Sequence, residues 1–210
     1  MSIVLYHHPF SRAAGTLWAL EEAGVAYELR WVDIMKGEQK ETALTERNAM
    51  GKLPTLADGD TVVTEAAAIA LYLADRYAPG KLAPALDSPE RGTYLRWSFF
   101  APSVIEPGIM AKAGKWEFRD GQAGWGKYDS MIEAMEGALQ ARDFILGKKF
   151  SMADVVFGGT IRFMVGFKQL EARPLFVSYI ERLNQREALQ RADARNAAII
   201  KERGLKMPGG

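Results

Sequence analysis

The sequence predicts a small α+β domain followed by an all-helical one. Three observations point there. Short apolar runs alternate with one helical stretch in the first third of the chain. An Asp-Gly pair sits between two further apolar runs. From about residue 80 onward only the helical period survives.

The elements follow in order. Ile3-Val4-Leu5-Tyr6 is a β-branched and aromatic run that reads as a buried strand, broken at His7-His8-Pro9-Phe10. Ser11 precedes a helix whose turns are marked by Ala14, Leu17, Trp18 and Glu21 and which Gly24 ends. Tyr27 to Val32 alternates as a second strand, giving a βαβ unit with a right-handed crossover. Residues 35–49 are polar and weakly patterned, a loop with a short helix. Leu53-Pro54-Thr55-Leu56-Ala57 and Thr61-Val62-Val63 flank Asp58-Gly59, a strong hairpin signal. Thr64 is placed to cap a helix from Glu65 to Tyr77 with Ile69, Tyr72 and Leu73 on its apolar face. The order is therefore βαβ then ββα over residues 1–79.

Pro79, Gly80, Pro84 and Pro89 mark a linker over 80–89, and residues 90–210 form the helical domain. Ser88-Pro89-Glu90 is a helix start. Helices are predicted at about 89–112, with Pro102 and Pro107 kinking the first, then at 128–146, 151–165, 174–185 and 187–198, the last completing the bundle. The glycine-rich segment 114–126, carrying Trp116, Phe118 and Trp125, reads equally as a lid or a connector. Ser151-Met152-Ala153-Asp154 reads as a capping box, with Phe150 stapling onto Val155, and so as a folding signal rather than a catalytic pair.

Composition narrows the function. The 210 residues carry 27 basic and 26 acidic side chains, a net charge of +1. That balance supplies no electrostatic reason for a nucleic-acid or anionic-membrane partner. There is no cysteine, which excludes a disulfide scaffold, a thiolate metal site and a cysteine nucleophile of the chain's own. Neither a leader peptide nor an apolar run of membrane-spanning length is seen, so the expectation is a soluble, cytoplasmic protein.

Four stretches, in order, resemble the soluble glutathione transferases. Asn48-Ala49-Met50-Gly51-Lys52-Leu53-Pro54-Thr55-Leu56 is similar to their Asn-Pro-x-Gly-Lys-Val-Pro-x-Leu element. Thr64-Glu65-Ala66-Ala67-Ala68-Ile69 is similar to their Glu-Ser-x-Ala-Ile element. Ser11-Arg12 ahead of Leu17-Trp18-Ala19-Leu20-Glu21-Glu22-Ala23-Gly24 resembles the start of many bacterial and fungal members. Phe150 to Asp154 resembles the hallmark of the family's helical domain. The resemblance covers nearly the whole chain. It implies a thioredoxin-like first domain, glutathione as co-substrate with no metal, and a homodimer.

It also implies site residues, each with an ordinary reading beside it. Ser11 is the candidate for contact with the glutathione thiol, or a simple helix cap. Tyr6 is the next candidate, or a packed core residue. His7 and His8, read from the residues alone, are donors or metal ligands, although two adjacent histidines point to opposite sides of an extended chain, and Arg12 either meets the glycyl carboxylate or faces solvent. The Leu53-Pro54 bond is expected to be cis, so that Leu53 N–H and C=O pair with the tripeptide as a strand edge does; the plain reading is a trans edge-strand proline. Glu65 is expected on the γ-glutamyl ammonium, or as an acid stabilising a helix start. The Glu65-Ala66 helix start receives the carboxylate, although Ala66 stands where many members have serine. Lys52 pairs with a glutathione carboxylate or is solvated. Tyr94, Trp97, Met110, Trp116 and Phe163 are candidates for the wall of an electrophile pocket, expected between the domains. The implied function is conjugation of glutathione to a small hydrophobic electrophile. The alternatives are a glutathione-dependent disulfide reductase or peroxidase, and a non-catalytic binding module.

Overall fold

The computed structural model describes residues 2–119 and 121–206; residues 1, 120 and 207–210, which fall within the two domains expected above, lie outside the described residues. The chain divides into two compact units, one of residues up to Tyr77 together with those from Arg186 on, the other Ala78–Gln185. Among the described residues no helix is long and apolar enough to cross a membrane.

In the first unit, β1 (Ile3–His7), β2 (Tyr27–Trp31), β3 (Thr55–Asp58) and β4 (Thr61–Thr64) form one sheet in the order β2-β1-β3-β4. β1 and β2 run parallel, with Ile3 opposite Tyr27, and enclose α1 (Ala13–Ala23) as a βαβ unit. β3 runs antiparallel to both β1 and β4. Both faces of β1 are covered, which is why it reads as an unbroken apolar run. Ile3 and Leu5 are buried on one face; Tyr6 clusters on the other with Val32 and Leu44, and Val4 and Leu53 pack against that cluster. Leu44 comes from α2 (Thr42–Thr45), the short helix expected in the 35–49 loop. Gly24 ends α1 in the left-handed region at φ 65°, its N–H bonded to the carbonyls of Leu20 and Glu21.

α3 (Ala66–Tyr77) packs on α1 and buries Ile69, Ala70 and Leu73. The hairpin that leads into it is tied down at Asp58. That buried carboxylate accepts the Tyr72 and Tyr77 hydroxyls and pairs with Arg76 at 3.1 Å. Burial works to raise its pKa, but these partners outweigh it and hold the carboxyl below the ordinary aspartate value.

The second unit is helical: α4 (Glu90–Phe100), α5 (Glu106–Ala113), α6 (Tyr128–Leu139), α7 (Met152–Gly166) and α8 (Pro174–Asn184). The kink expected from the prolines is a π-helical turn at Ala101–Ile105 between α4 and α5. Pro102 has no N–H to give to the ladder there. α6 stops at Leu139 rather than running to 146. Gln140 is extended, Ala141 takes φ 57°, and the N–H of Ile145 leaves the helical pattern to reach the Asp154 carboxylate at 2.7 Å. A distant acceptor overrides the local helical preference.

That acceptor begins α7. Asp154 takes the Ser151 N–H at 2.8 Å, closing the expected capping box. It also takes the Ser151 hydroxyl at 3.1 Å and the Tyr179 hydroxyl at 2.7 Å. Burial pushes its carboxyl above the usual range, and these donors restrain the rise. Phe150 packs edge-on against Phe144, ring centroids 5.5 Å apart.

The last helix departs from expectation. α9 (Glu187–Glu202) joins the first unit instead of completing the bundle, and it packs along α1. Its apolar stripe is small (Ala188, Leu189, Ala192 buried), so charges and hydrogen bonds set its place. Arg186 meets Glu22 through two bonds of 2.6 and 2.7 Å, and Arg191 meets Glu21 at 2.7 Å. His7 Nε2 lies 2.9 Å from Asn196 Oδ1.

Candidate functional site

The register of the sheet gathers most of the predicted site. Tyr6 near the end of β1 stands opposite Thr55 at the start of β3, and Thr55 stands opposite Thr64 at the end of β4. The turn into α1, the 48–54 loop and the start of α3 therefore lie at one end of the sheet.

The 48–54 loop is built around Asn48, to which sequence reasoning assigned no role. This buried amide donates to Lys52 O at 2.9 Å and to Thr55 Oγ1 at 3.1 Å, and its Oδ1 accepts the Met50 N–H at 3.1 Å. Gly51 follows at φ 53°, where a Cβ would meet Gln39 O at 2.6 Å; only glycine fits. The Leu53–Pro54 peptide bond is cis. Leu53 packs against the cluster of Tyr6, Val32 and Leu44. Neither its N–H nor its C=O has a hydrogen-bond partner among the described residues. Lys52 is exposed.

One residue past β4, Glu65 takes φ 66°, a left-handed conformation that disfavours side chains with a Cβ by about 1–2 kcal/mol. The predicted cap is absent: Thr64 ends β4, and its side chain makes no hydrogen bond among the described residues. Glu65 instead occupies the capping position, where its carbonyl takes the Ile69 N–H at 2.9 Å. The N–H groups of Ala66, Ala67 and Ala68 have no acceptor among the described residues. A 12-residue helix thus presents a bare, electropositive start beside an exposed carboxylate, at the same end of the sheet as the open backbone groups of Leu53.

The start of α1 is different. Ser11 Oγ donates to His8 O at 2.8 Å and accepts the Ala13 N–H at 3.1 Å, so Ser11 does serve the helix start. The Ala14, Gly15 and Thr16 amides are taken by the carbonyls of Ser11 and Arg12. Its oxygen is fixed while its hydrogen can swing about the Cβ–Oγ bond. Arg12 holds the capping position of α1. Tyr6 is 6% exposed, and its hydroxyl accepts from Arg30 Nη1 at 3.2 Å; it is a core residue. His7 is buried, which lowers its pKa to about 4; the bond to Asn196 opposes that, and the charges of His8 and Arg195 add to it. His8 is also buried, its ring 4.7 Å from that of Trp31. Among the described residues no group of three or more His, Asp or Glu side chains is placed to share a metal ion.

The five electrophile candidates are not gathered in this way. Tyr94 and Trp97 are 0% and 4% exposed. Trp97 packs edge-on against Phe157 at 5.2 Å, so both are interior residues of the helical unit. Phe163 stacks against Phe167 at 4.4 Å. Met110 and Trp116 are exposed. Of the five, Met110 lines a cavity of about 750 Å³ in the helical unit, alongside Ile109, Lys112, Tyr128, Lys168 and Leu170.

The family model described as glutathione S-transferase, N-terminal domain, matches residues 1–75, and that described as glutathione S-transferase, C-terminal domain, matches 119–182. Human glutathione S-transferase theta-2B is 30% identical over 205 residues, covering 87% of this chain and 82% of that protein. Glutathione S-transferase 1 of Schizosaccharomyces pombe is 31% identical over 160 residues, covering 66% of this chain. The match spans 65% of the fission-yeast protein's length, just under two thirds. Among solved structures, the glutathione transferase URE2P6 of Phanerochaete chrysosporium, in complex with oxidized glutathione, superposes with a TM-score of 0.79 at 24% identity over 94% of this chain and 97% of that one. A glutathione transferase of Methylococcus capsulatus gives 0.76 at 25% identity over 93% and 99%.

Proposed function

The chain belongs to the glutathione S-transferase family, and on that premise we propose that it conjugates glutathione to small hydrophobic electrophiles. The observation that carries the reading is the unfinished start of α3: three unpartnered amides, a left-handed Glu65 and the open Leu53 edge share one end of the sheet. Water can satisfy open amides at a helix start, but a left-handed non-glycine residue at the cap is the kind of backbone strain that clusters at ligand-binding sites.

Glutathione is an anionic tripeptide whose groups match what is left open. Its γ-glutamyl carboxylate meets the Ala66 start of α3, and its ammonium meets Glu65. Its cysteinyl backbone pairs with Leu53 N–H and C=O, ahead of Pro54, as an added strand. Lys52, without an ion pair among the described residues, takes the glycyl carboxylate. The free thiol has a pKa of about 8.5, so little is ionised at pH 7. Lowering it by about two units needs roughly 2.7 kcal/mol, which a charge-assisted hydroxyl bond from Ser11 and the positive end of α1 are of a size to supply. The thiolate attacks the electrophilic carbon, whose leaving group departs with the bonding pair. Met110, Trp116 and Phe163 remain the apolar candidates for electrophile contact. A cytoplasmic homodimer working in detoxification completes the proposal, and sedimentation tests the dimer.

A second reading, glutathione-dependent disulfide reduction, draws support from a neighbour of the same fold. The Lodderomyces elongisporus glutathione transferase homologue holds two glutathione molecules per subunit, and the absence of cysteine here is compatible with both thiols coming from glutathione. Rates on a chloronitroaromatic against rates on a model disulfide separate the two. Failure to bind glutathione at millimolar concentration in calorimetry overturns both in favour of a non-catalytic module.

A further inference from the structure

The turn between β1 and α1 contains a buried ring that the chemistry above does not use. His8 is fully buried between Trp31 and Phe10, with ring centroids 4.7 and 5.5 Å away. Its Nδ1 accepts the Phe10 N–H at 3.1 Å. Its main-chain carbonyl accepts both the N–H of Ser11 at 3.0 Å and the Ser11 hydroxyl at 2.8 Å. A ring nitrogen that accepts carries no proton, so the proton sits on Nε2. That Nε2 is buried with no hydrogen-bond partner among the described residues. An orphaned buried donor calls for a reason. Here the tautomer that orphans Nε2 is the one that leaves Nδ1 free to hold the turn.

We propose that His8 is the positioning residue for Ser11, its neutral ring clamping the His8–Ser11 turn through Nδ1 so that Ser11 Oγ stands where its hydrogen can swing from the His8 carbonyl to a bound thiolate. The inference rests on the role proposed for Ser11. It names a residue that touches neither glutathione nor the electrophile and acts through the turn alone.

Protonating the ring puts a second N–H against the Phe10 N–H and breaks the clamp. The groups facing the ring are the Asp33 carboxylate after β2, which favours the proton, and the Arg203 guanidinium beyond α9, which disfavours it; His7 is its neighbour on β1. Burial is the largest influence and holds His8 below its ordinary 6.5. The turn therefore stays intact through neutral pH and fails only in acid.

The test compares His8→Phe, which keeps the stacked ring without the acceptor, with His8→Asn, whose Oδ1 replaces Nδ1. The readouts are kcat/KM and KM for glutathione with a chloronitroaromatic, and the pH dependence of thiolate absorbance of enzyme-bound glutathione. His8→Phe is expected to raise the bound thiol's pKa by about one unit and to lower kcat about fivefold at pH 6.5, with KM changed less than about threefold. His8→Asn is expected to restore both to within about threefold, its acid limb then following the titration of the bound thiol alone. A normal thiol pKa in His8→Phe, or equal damage in both variants, overturns the proposal. Should His8→Phe not fold, His8→Gln, whose amide reaches the Nε2 position instead, takes its place with the same expectations. Ser11→Ala separates the two levels. If it leaves the thiol pKa unmoved, the Ser11 reading itself falls; if it raises the pKa while His8→Phe does not, only the His8 role falls.

Discussion

Two helix starts in this chain are built on opposite terms. At α7 the capping groups are answered: Ser151 N–H and hydroxyl go to Asp154, Met152 N–H goes to Leu82 O at 2.7 Å, and Asp154 also takes Ile145 N–H and the Tyr179 hydroxyl. At α3 the capping residue is in the left-handed region and the amides of Ala66, Ala67 and Ala68 point at nothing among the described residues. The first arrangement stabilises the fold; the second spends stability to keep a surface open. The contrast teaches how to tell a folding device from a binding one: ask which polar groups are already paired before any ligand arrives.

The sharpest way to break the comparison is at Asp154. Asp154→Ala leaves buried donors of Ile145, Ser151 and Tyr179 unmatched, a loss of about 3–5 kcal/mol. Urea denaturation should show that drop, while the molecules that remain folded should bind glutathione as before. A large fall in affinity at fixed folded fraction would mean that the two starts are not separable.

A finished buried group in the first unit offers a parallel. His7 has its partner in Asn196, and its pKa in the fold is about 4 against about 6.5 unfolded. The unfolded chain then binds more protons between those values, so stability falls as pH drops from about 6.5 to about 4, by up to about 3 kcal/mol once below both. Denaturation midpoints measured across that window should slope accordingly, and His7→Leu should flatten the slope. A slope equal in the variant removes His7 as its source.

The sequence made some of this legible. The strands, the hairpin at Asp58-Gly59, the end of α1 at Gly24 and the α7 capping box were all readable because their causes are local: period, turn chemistry, a serine three residues before an acid. The early stop of α6 and the place of α9 were not. The first depends on Ile145 reaching Asp154, and the second on Arg186 and Arg191 finding Glu22 and Glu21, pairings that no local window contains. At the site, Leu53, Pro54 and Glu65 were picked out by motif, whereas Asn48 was quoted within the motif without a role. Its only signal was an amide three residues ahead of Gly51. Aromatic residues at helical spacing carried least information, since period alone cannot separate Trp97 in the core from Trp116 on the surface.

Glu65 tests the open side of the contrast. On the proposed reading, Glu65→Gly removes a charge-assisted bond to the ammonium, worth about 1.5–3 kcal/mol, and so weakens glutathione binding at least about tenfold. The same change relieves the left-handed Cβ clash at φ 66°. Stability should hold or rise by up to about 1 kcal/mol. Calorimetry and urea denaturation on one variant should therefore move in opposite directions. Losses in both would mark Glu65 as a structural residue and return α3 to the same category as α7.

The smallest expected effect is also the most discriminating, because it adds a group instead of removing one. Ala66 begins α3 with a methyl group where a hydroxyl would stand within reach of a carboxylate bound at the helix start. Ala66→Ser offers one further donor, worth about 0.5–1.5 kcal/mol, and should tighten glutathione binding between about two- and tenfold. Serine lowers helix propensity slightly against alanine, so stability without ligand should fall by no more than about 0.5 kcal/mol. Gain in affinity alongside a small loss in stability requires that a carboxylate occupy the helix start. If the hydroxyl instead turned back onto the amides of α3 as a cap, stability would rise and affinity would fall, since the donors held open for the ligand would have been closed from within the chain.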